Sequence, residues 1–237
     1  MVVTKMKHAR STNKNPKCEL PEAKRIVIVD DHPLFRKGLE QLIQSEDGFA
    51  VCGEASNAPE AMDVIRKLNP DLAIVDLSLP GANGIELIKN IRAEFSKLPI
   101  LVLSMHDESL YALRALRAGA EGYVMKHEAM ANVIQAIREV FNGRPYLSPA
   151  MAAQVITKFA HRQAEGEADA VERLSDRELE VLELIGKGND VRQIAKALHL
   201  SPKTVETHRS HIKDKLDLKN SREVARFALQ WLSARNA

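Results

Sequence analysis

The feature that most constrains the fold is a regular alternation of short apolar runs and helical stretches between residues 26 and 141. The helical stretches place apolar side chains at spacings of three and four. Strand–helix alternation of this kind is typical of a parallel sheet covered by helices on both faces. We therefore predict an α/β domain with a doubly wound, five-stranded parallel sheet, whose site should lie at the carboxyl ends of the strands. The predicted strands are 26–29, 49–52, 72–75, 100–103 and 122–124, and the predicted helices are 34–45, 58–67, 85–94, 110–118 and 130–141.

The C-terminal part of the chain shows a different pattern, because no strand signal occurs between residues 174 and 232. Ser175 begins a capping box that opens a helix. The pairs Asn189-Asp190 and Ser201-Pro202 are start signals for two more helices. A final helix is expected from about residue 221 to residue 233. These signals predict a second, all-α domain of four helices.

Changes in composition divide the chain into four parts. Residues 1–24 are polar, basic and without periodicity, which predicts a disordered arm. Residues 149–171 start with a helical stretch to residue 159 and continue without an apolar period, which predicts a linker. The two predicted domains therefore span residues 25–148 and 172–237.

The formal net charge of +2 hides an uneven distribution along the chain. Residues 1–25 carry +5, residues 26–150 carry −5 and residues 172–237 carry +3. A mildly basic domain is suited to contact nucleic-acid phosphates, but many solvated helical surfaces carry as much charge. Charge alone therefore leaves both interpretations open.

The cysteines and the apolar runs indicate the compartment. Cys18 and Cys52 are far apart and have no metal-ligand spacing, so the sequence suggests neither a disulfide framework nor a zinc site. No apolar run approaches the roughly 18 residues that cross a bilayer, and the basic start lacks the apolar core of a signal peptide. We expect a cytoplasmic protein with no membrane contact.

Charged side chains stand at the predicted strand ends, where a parallel sheet brings them together. Asp30 and Asp31 close the first strand and Asp76 closes the third. Three like charges in one crevice repel unless a cation lies among them, and a hard ion such as Mg²⁺ prefers oxygen ligands. Ser104 and Lys126 end two further strands. This set is suited to hold a phosphoryl group while an aspartate oxygen attacks phosphorus, which gives an aspartyl phosphate. Taken singly, each residue is equally compatible with a solvated turn.

Together these residues resemble the receiver domain of two-component response regulators, over nearly all of residues 25–145. The matching segments are Asp30-Asp31, the loop of residues 76–84, Leu103-Ser104 and residues 123–126. The resemblance implies a flavodoxin-like fold in which Asp76 is the phosphoacceptor, and in which Ser104 and Lys126 contact the phosphoryl oxygens. It also implies Mg²⁺ as the cofactor, with Asp30, Asp31, Asp76 and the main-chain carbonyl of Ser78 as its ligand set.

Three further residues of this region have alternative interpretations. The resemblance implies that Tyr123 is a switch aromatic that turns inward when Ser104 moves, whereas a static, half-buried tyrosine at the sheet edge is the alternative. His127 stands where many receivers have proline. We hypothesise that His106 and Ser78 flank the phosphoryl site and control access of water, although surface loop histidines are common.

The third helix of the C-terminal domain has an apolar face with Val205, Ile212 and Leu216 and a polar face opposite. With the turn before it, the segment resembles a LuxR-type helix-turn-helix domain over residues 172–232, and the whole chain then resembles the NarL/FixJ class of response regulators. In a helix-turn-helix the second helix enters the major groove of double-stranded DNA. The resemblance implies DNA contact by Lys203, Thr204, Glu206, Thr207, Arg209, Ser210, Lys213 and Lys215, with Glu206, Thr207 and Ser210 as candidates for base readout.

The predicted function is a DNA-binding response regulator rather than an enzyme. The resemblance implies that a sensor histidine kinase phosphorylates Asp76 and that phosphorylation favours a homodimer on paired DNA sites. An aspartate-nucleophile phosphatase is an alternative, but such enzymes carry a second acid two residues after the nucleophile, where this chain has Ser78. A phosphorylation-independent module that only dimerises is the other alternative, and the intact set of strand-end residues argues against it.

Overall fold

The computed structural model describes residues 23–160 and 167–235. Its first part is a five-stranded parallel sheet, as predicted. The strands are β1 (Lys24–Val29), β2 (Phe49–Ala55), β3 (Leu72–Val75), β6 (Ile100–Ser104) and β7 (Gly122–Met125), and their order in the sheet is β2-β1-β3-β6-β7. The helices between them are α1 (Pro33–Gln44), α2 (Ala58–Leu68), α3 (Gly84–Glu94), α4 (Glu108–Ala118) and α5 (Ala129–Phe141).

The sheet separates two hydrophobic clusters because successive side chains of a strand point to opposite faces. Val27 and Val29 of β1 join the cluster under α2, α3 and α4, whereas Ile26 and Ile28 join the cluster under α1 and α5. All four side chains are fully buried. The continuous apolar runs in the sequence therefore reflect strands that are covered on both faces.

A small antiparallel hairpin follows β3, which the sequence pattern did not predict. It pairs β4 (Ser78–Leu79) with β5 (Ala82–Asn83). A Cβ atom at Gly84 would lie 2.4 Å from the carbonyl oxygen of Asp76 and 2.4 Å from the Cα atom of Leu77. Only glycine fits this close approach, so Gly84 fixes the path of the loop between Asp76 and the start of α3.

Two segments differ from the predicted boundaries. Lys24, assigned to the basic arm, is the first residue of β1, because its backbone N–H donates to the carbonyl of Gly48 at 2.8 Å. Residues 1–22 of that arm lie outside the described residues. In the predicted linker, α6 (Pro149–Ala160) agrees with the expected helical stretch, and a second short helix, α7 (Glu167–Glu172), was not expected.

The C-terminal part contains the four predicted helices, α8 (Asp176–Gly186), α9 (Val191–Ala197), α10 (Pro202–Lys215) and α11 (Ser221–Arg235). The capping box of Ser175 with Glu178 is present at the start of α8. Asp190 caps α9 and Ser201 caps α10, each by accepting a backbone N–H three residues ahead. These caps explain why the starts of α8, α9 and α10 were predictable.

The turn between α9 and α10 is tight although no glycine is present. His199 has a φ of 52°, in the left-handed region that favours glycine. The backbone N–H of Leu200 donates to the carbonyl of Ala195 at 2.8 Å and closes the turn. This geometry positions α10 against α8 and α9.

Among the residues that the structure describes, none of the helices combines the length and the apolar composition that a membrane span requires.

Candidate phosphorylation site and interdomain contact

The carboxyl ends of four strands meet in one buried cluster, as the alternation pattern predicted. Lys126 Nζ lies 2.6 Å from Asp30 Oδ2 and 2.7 Å from Asp76 Oδ2. Asp76 is 1% exposed and Lys126 is 7% exposed. Ser104 is fully buried at the end of β6, so the structure brings together an aspartate pair, an ammonium and a hydroxyl.

Burial and charge act in opposite directions on Asp76. Its burial raises the pKa of the carboxyl group, whereas the Lys126 ammonium opposes that rise, and the net result is a raised pKa. The other oxygen, Oδ1, accepts the backbone N–H of Ser78 at 3.2 Å. The Lys126 ammonium also lies 4.7 Å from the centre of the Phe35 ring, which restricts where it can move.

Asp31 stands at the rim of the cluster and has an oxygen without a hydrogen-bond partner among the described residues. Its Oδ1 atom is 2.6 Å from His32 Nδ1, but the approach does not have hydrogen-bond geometry. Ligand atoms of Asp30, Asp31, His32 and Asp76 all lie within 4.8 Å of one another. An orphaned carboxylate oxygen beside two further carboxylates fits a hard divalent cation.

His106 and Tyr123 connect this cluster to the rest of the molecule. The Oγ of Ser78 lies 3.0 Å from His106 Nε2, so these two side chains form a hydrogen bond beside Asp76. The Tyr123 hydroxyl donates to the carbonyl of His106 at 2.8 Å, and Tyr123 is 1% exposed. Tyr123 is therefore fully buried rather than half-buried, although it lies in the edge strand β7, whereas His127 is exposed.

Helix α8 packs directly over this region, a contact that the sequence did not indicate. Asn83 Nδ2 donates to Glu180 Oε1 at 2.9 Å, and the Tyr111 hydroxyl donates to Glu183 Oε2 at 3.1 Å. His106 Nδ1 lies 3.6 Å from the same Glu183 oxygen. His106 thus has one ring nitrogen towards Ser78 and the other towards α8.

The two buried glutamates of α8 have opposite pKa shifts. Burial raises the pKa of Glu180 despite the nearby Arg177. Burial alone would also raise the pKa of Glu183, but His106 and Lys187 outweigh it and lower this pKa to about 2. Glu183 is therefore a fixed negative charge at neutral pH in the space between α8 and the carboxylate cluster.

Arg114 of α4 forms the other half of the contact. One of its terminal nitrogens donates to the carbonyl of Leu174 at 2.8 Å and to Asp176 Oδ1 at 3.0 Å. The second donates to the carbonyl of Val171 at 3.0 Å. Lys89 of α3 adds an ion pair to Asp176 at 3.3 Å. The two domains are thus joined by several charged hydrogen bonds.

A cavity of about 290 Å³ remains between the carboxylate cluster and the helical domain. Its receiver side includes Asp31, Ser78 and His106. Its other side includes Arg177 and Lys187. The rim of the carboxylate cluster therefore faces a space of mixed charge rather than packed apolar side chains.

The residues expected to contact DNA all lie on α10, outside the buried stripe of Val205 and Ile212. Exposed among them are Lys203, Glu206, Thr207, Ser210 and Lys215, whereas Thr204, Arg209 and Lys213 are partly buried. Lys215 is paired with the buried Glu178 at 2.7 Å, and Arg209 is paired with Glu206 at 3.0 Å. The described receiver residues leave the outward side of this helix uncovered.

The fold and this site define a two-component response regulator, and comparison with known proteins shows the same. The chain matches the model of the response regulator receiver domain over residues 26–138 and that of the luxR family of bacterial regulatory proteins over residues 172–228. The protein therefore belongs to the response regulators that join a receiver to a LuxR-type DNA-binding domain.

Among its relatives is the oxygen regulatory protein NreC of Staphylococcus carnosus, which is 37% identical over 210 residues, 87% of this chain and 97% of that protein. A LuxR-family response regulator from Aurantimonas sp. SI85-9A1 is 40% identical over 59% of this chain and all of that chain, with a TM-score of 0.55. RcsB from Salmonella enterica serovar Typhimurium, solved on a promoter with the phosphomimetic BeF3-, is 28% identical over 87% of this chain and 98% of that chain, with a TM-score of 0.59.

Sequence reasoning missed the residues of the interdomain contact. Tyr111, Arg114, Glu180 and Glu183 lie on helices whose periodicity indicated only apolar and solvated faces. A weak signal was present, because α8 has glutamates at positions 178, 180 and 183, which cannot all point to one solvated face of a helix. The structure buries all three.

Proposed function

We propose that Asp76 accepts a phosphoryl group from a sensor histidine kinase and that the resulting charge controls the helical domain. The observation that carries the proposal is the buried cluster in which Lys126 bridges Asp30 and Asp76 while Ser104 lies at the next strand end. In the reaction an Asp76 oxygen forms a bond to phosphorus, and the bond from phosphorus to the donor breaks with departure of the donor group.

The side chains around Asp76 have separate roles in this step. Lys126 stabilises negative charge on the phosphoryl oxygens, since its ammonium is already held within hydrogen-bond distance of Asp76. The Ser104 hydroxyl is placed to donate to another phosphoryl oxygen. Ser78 and His106 occupy the open side, and we infer that they limit the access of water and so the lifetime of the acyl phosphate.

The orphaned oxygen of Asp31 and the neighbouring carboxylates support a Mg²⁺ site. Asp31 and Asp76 would hold the ion with the main-chain carbonyl of Ser78, and Asp30 would contact it through water. The bound ion would supply positive charge that reduces repulsion between the carboxylates and the incoming phosphoryl group.

The contact between α8 and the receiver is the means of control in this proposal. A phosphoryl group adds roughly one to two negative charges beside Ser78, and Glu183 is a fixed negative charge on the other side of His106. Like charges on the two sides of His106 repel. If Ser78 is drawn towards the phosphoryl group, His106 also loses its hydrogen bond to the Ser78 hydroxyl. Phosphorylation therefore favours release of α8.

Release of α8 from the receiver changes the orientations that the DNA-binding domain can adopt, although α10 is already exposed. While α8 is held by the receiver, each DNA-binding domain has one fixed orientation. Binding to paired half-sites on double-stranded DNA requires two domains in a symmetric arrangement. We infer that the phosphorylated protein is a homodimer that regulates transcription in the cytoplasm.

In that dimer the outward side of α10 faces the major groove. Glu206, Thr207 and Ser210 are candidates for base readout, and Thr204 is placed beside them. Phosphate contacts come from the basic residues Lys203, Arg209, Lys213 and Lys215. Lys215 must leave its ion pair with Glu178 to reach a phosphate.

The nucleophile is tested by intact-mass spectrometry after incubation with acetyl phosphate and Mg²⁺. We expect one phosphoryl adduct in the natural protein and none in Asp76→Asn. Asp63→Asn is the matched control, because Asp63 is an aspartate of the same domain whose side chain is 80% exposed. An adduct of equal yield in Asp76→Asn would overturn the assignment.

Control of DNA binding is tested on the natural protein and Asp76→Asn by fluorescence anisotropy. The DNA is a duplex selected in vitro by the phosphorylated protein. Beryllofluoride and Mg²⁺ should raise the affinity of the natural protein and leave that of Asp76→Asn unchanged. Equal affinity with and without beryllofluoride, in protein that binds it, would refute the switch and leave a constitutive DNA-binding protein.

A further inference from the structure

Two clusters within the described residues have a geometry suited to a metal ion, and only one of them belongs to the phosphorylation site. The second consists of Glu178 on α8 and His208 and His211 on α10, with ligand atoms within 4.8 Å of one another. We propose that Glu178, His208 and His211 bind a divalent transition-metal ion of the Zn²⁺ class. This site is independent of phosphorylation at Asp76.

The arrangement on α10 supports the proposal. His208 and His211 are three residues apart, so both rings project from the same side of the helix. His208 Nδ1 is buried without a hydrogen-bond partner among the described residues. A buried ring nitrogen normally has a partner, and an unpartnered one is a free lone pair or an unsatisfied donor. A metal ion would satisfy it.

Glu178 divides its two oxygens between different roles. Oε2 accepts the Ser175 backbone N–H at 2.7 Å and the Lys215 ammonium at 2.7 Å. Oε1 lies 3.5 Å from His211 Nδ1. Since the capping box and the lysine use Oε2, a metal ion can take Oε1 without breaking the helix cap.

The donor set of this cluster indicates which class of metal ion it would hold. Two imidazoles with one carboxylate suit Zn²⁺, Co²⁺, Ni²⁺ or Cu²⁺, whereas Mg²⁺ and Ca²⁺ prefer oxygen ligands. The same His₂Glu set occurs in zinc sites that keep one coordination position open for water. The exposed side of His211 leaves room for that position.

The experiment titrates the full-length protein with Co²⁺ in excess Mg²⁺, which occupies the carboxylate cluster at Asp76. Visible absorption reports the coordination of Co²⁺, and NMR reports paramagnetic broadening of individual histidine ring signals. We expect one site with the His208 and His211 signals broadened together, and displacement of Co²⁺ by Zn²⁺.

His211→Ala is the main variant, because His211 is exposed and the substitution should leave the fold intact. Its affinity for Co²⁺ should fall at least roughly tenfold, as expected for loss of a ligand. His199→Asn is the matched control, since His199 is an exposed histidine of the same domain outside the cluster and asparagine tolerates its left-handed backbone. Equal Co²⁺ binding in His211→Ala and the natural protein, or broadening of other histidine signals only, would overturn the proposal.

Discussion

Substituting Arg114 by alanine should open the contact between the receiver and α8 without phosphorylation. Arg114 donates to the carbonyls of Leu174 and Val171 and to the carboxylate of Asp176, at 2.8 to 3.0 Å. Its side chain is 15% exposed, so these hydrogen bonds are poorly screened by water. In the open form all the partners regain contact with solvent.

The size of the effect follows from the number of contacts. A hydrogen bond to a charged group contributes about 1.5 to 3 kcal/mol, and several made by one side chain are not additive. A total of roughly 2 to 4 kcal/mol corresponds to a change of about 30-fold to 700-fold in the ratio of closed to open protein. If closed molecules outnumber open ones about a hundredfold, the variant would be roughly one fifth to nine tenths open.

Small-angle X-ray scattering of the unphosphorylated protein measures this change as an increase in the radius of gyration. Arg117→Ala is the control, because Arg117 lies one turn further along α4 and is exposed. Arg114→Ala should also bind DNA more tightly than the natural protein in the absence of beryllofluoride. A radius of gyration equal to that of the natural protein and of Arg117→Ala would refute the view that Arg114 holds the domains together.

Four further predictions concern single residues. Gly84→Ala places a Cβ atom 2.4 Å from the Asp76 carbonyl oxygen, so it should destabilise the receiver by about 1 to 3 kcal/mol in urea denaturation. Ser201→Ala removes the cap of α10 and should cost about 1 kcal/mol, lowering DNA affinity in anisotropy while phosphorylation yield in mass spectrometry stays unchanged. Glu183→Gln should lower the free energy of unfolding at pH 7 by up to about 3 kcal/mol. The reason is that the pKa of Glu183 is about 2 in the folded protein, against a reference value of 4.5. In urea denaturation at several pH values, the difference in unfolding free energy between the variant and the natural protein should be present above about pH 4.5 and lost as the pH falls towards 2. Lys203→Ala should reduce the slope of log affinity against log salt concentration by about 1, as one phosphate contact requires, and an unchanged slope would exclude that contact.

The strands and the carboxylate cluster were predictable because both depend on local patterns. Strands buried on both faces are continuous apolar runs, and a parallel sheet brings their carboxyl ends to one edge. The positions of Asp76 and Lys126 follow from this rule alone. The starts of α8, α9 and α10 were predictable because each has a side-chain cap next to it in sequence.

The interdomain contact was not predictable, because it joins residues far apart in the chain. Tyr111 and Glu183 are 72 positions apart, and Asn83 and Glu180 are 97 apart. Nothing near any of these residues in the sequence distinguishes a buried glutamate from a solvated one. The two-residue strands β4 and β5 were missed for another reason, since they are too short to show an alternation of apolar and polar residues.

The burial of α8 on two sides limits how freely the two domains can be exchanged between regulators. The helix packs on α10 and α11 within its own domain and presents Glu180 and Glu183 to the receiver. A chimera cut in the linker would keep the folding of each domain but would leave these two acids facing a foreign receiver surface. In such a hybrid regulator, phosphorylation should control DNA binding only when the receiver residues that contact α8, equivalent to Asn83, His106 and Tyr111, are transplanted together with α8.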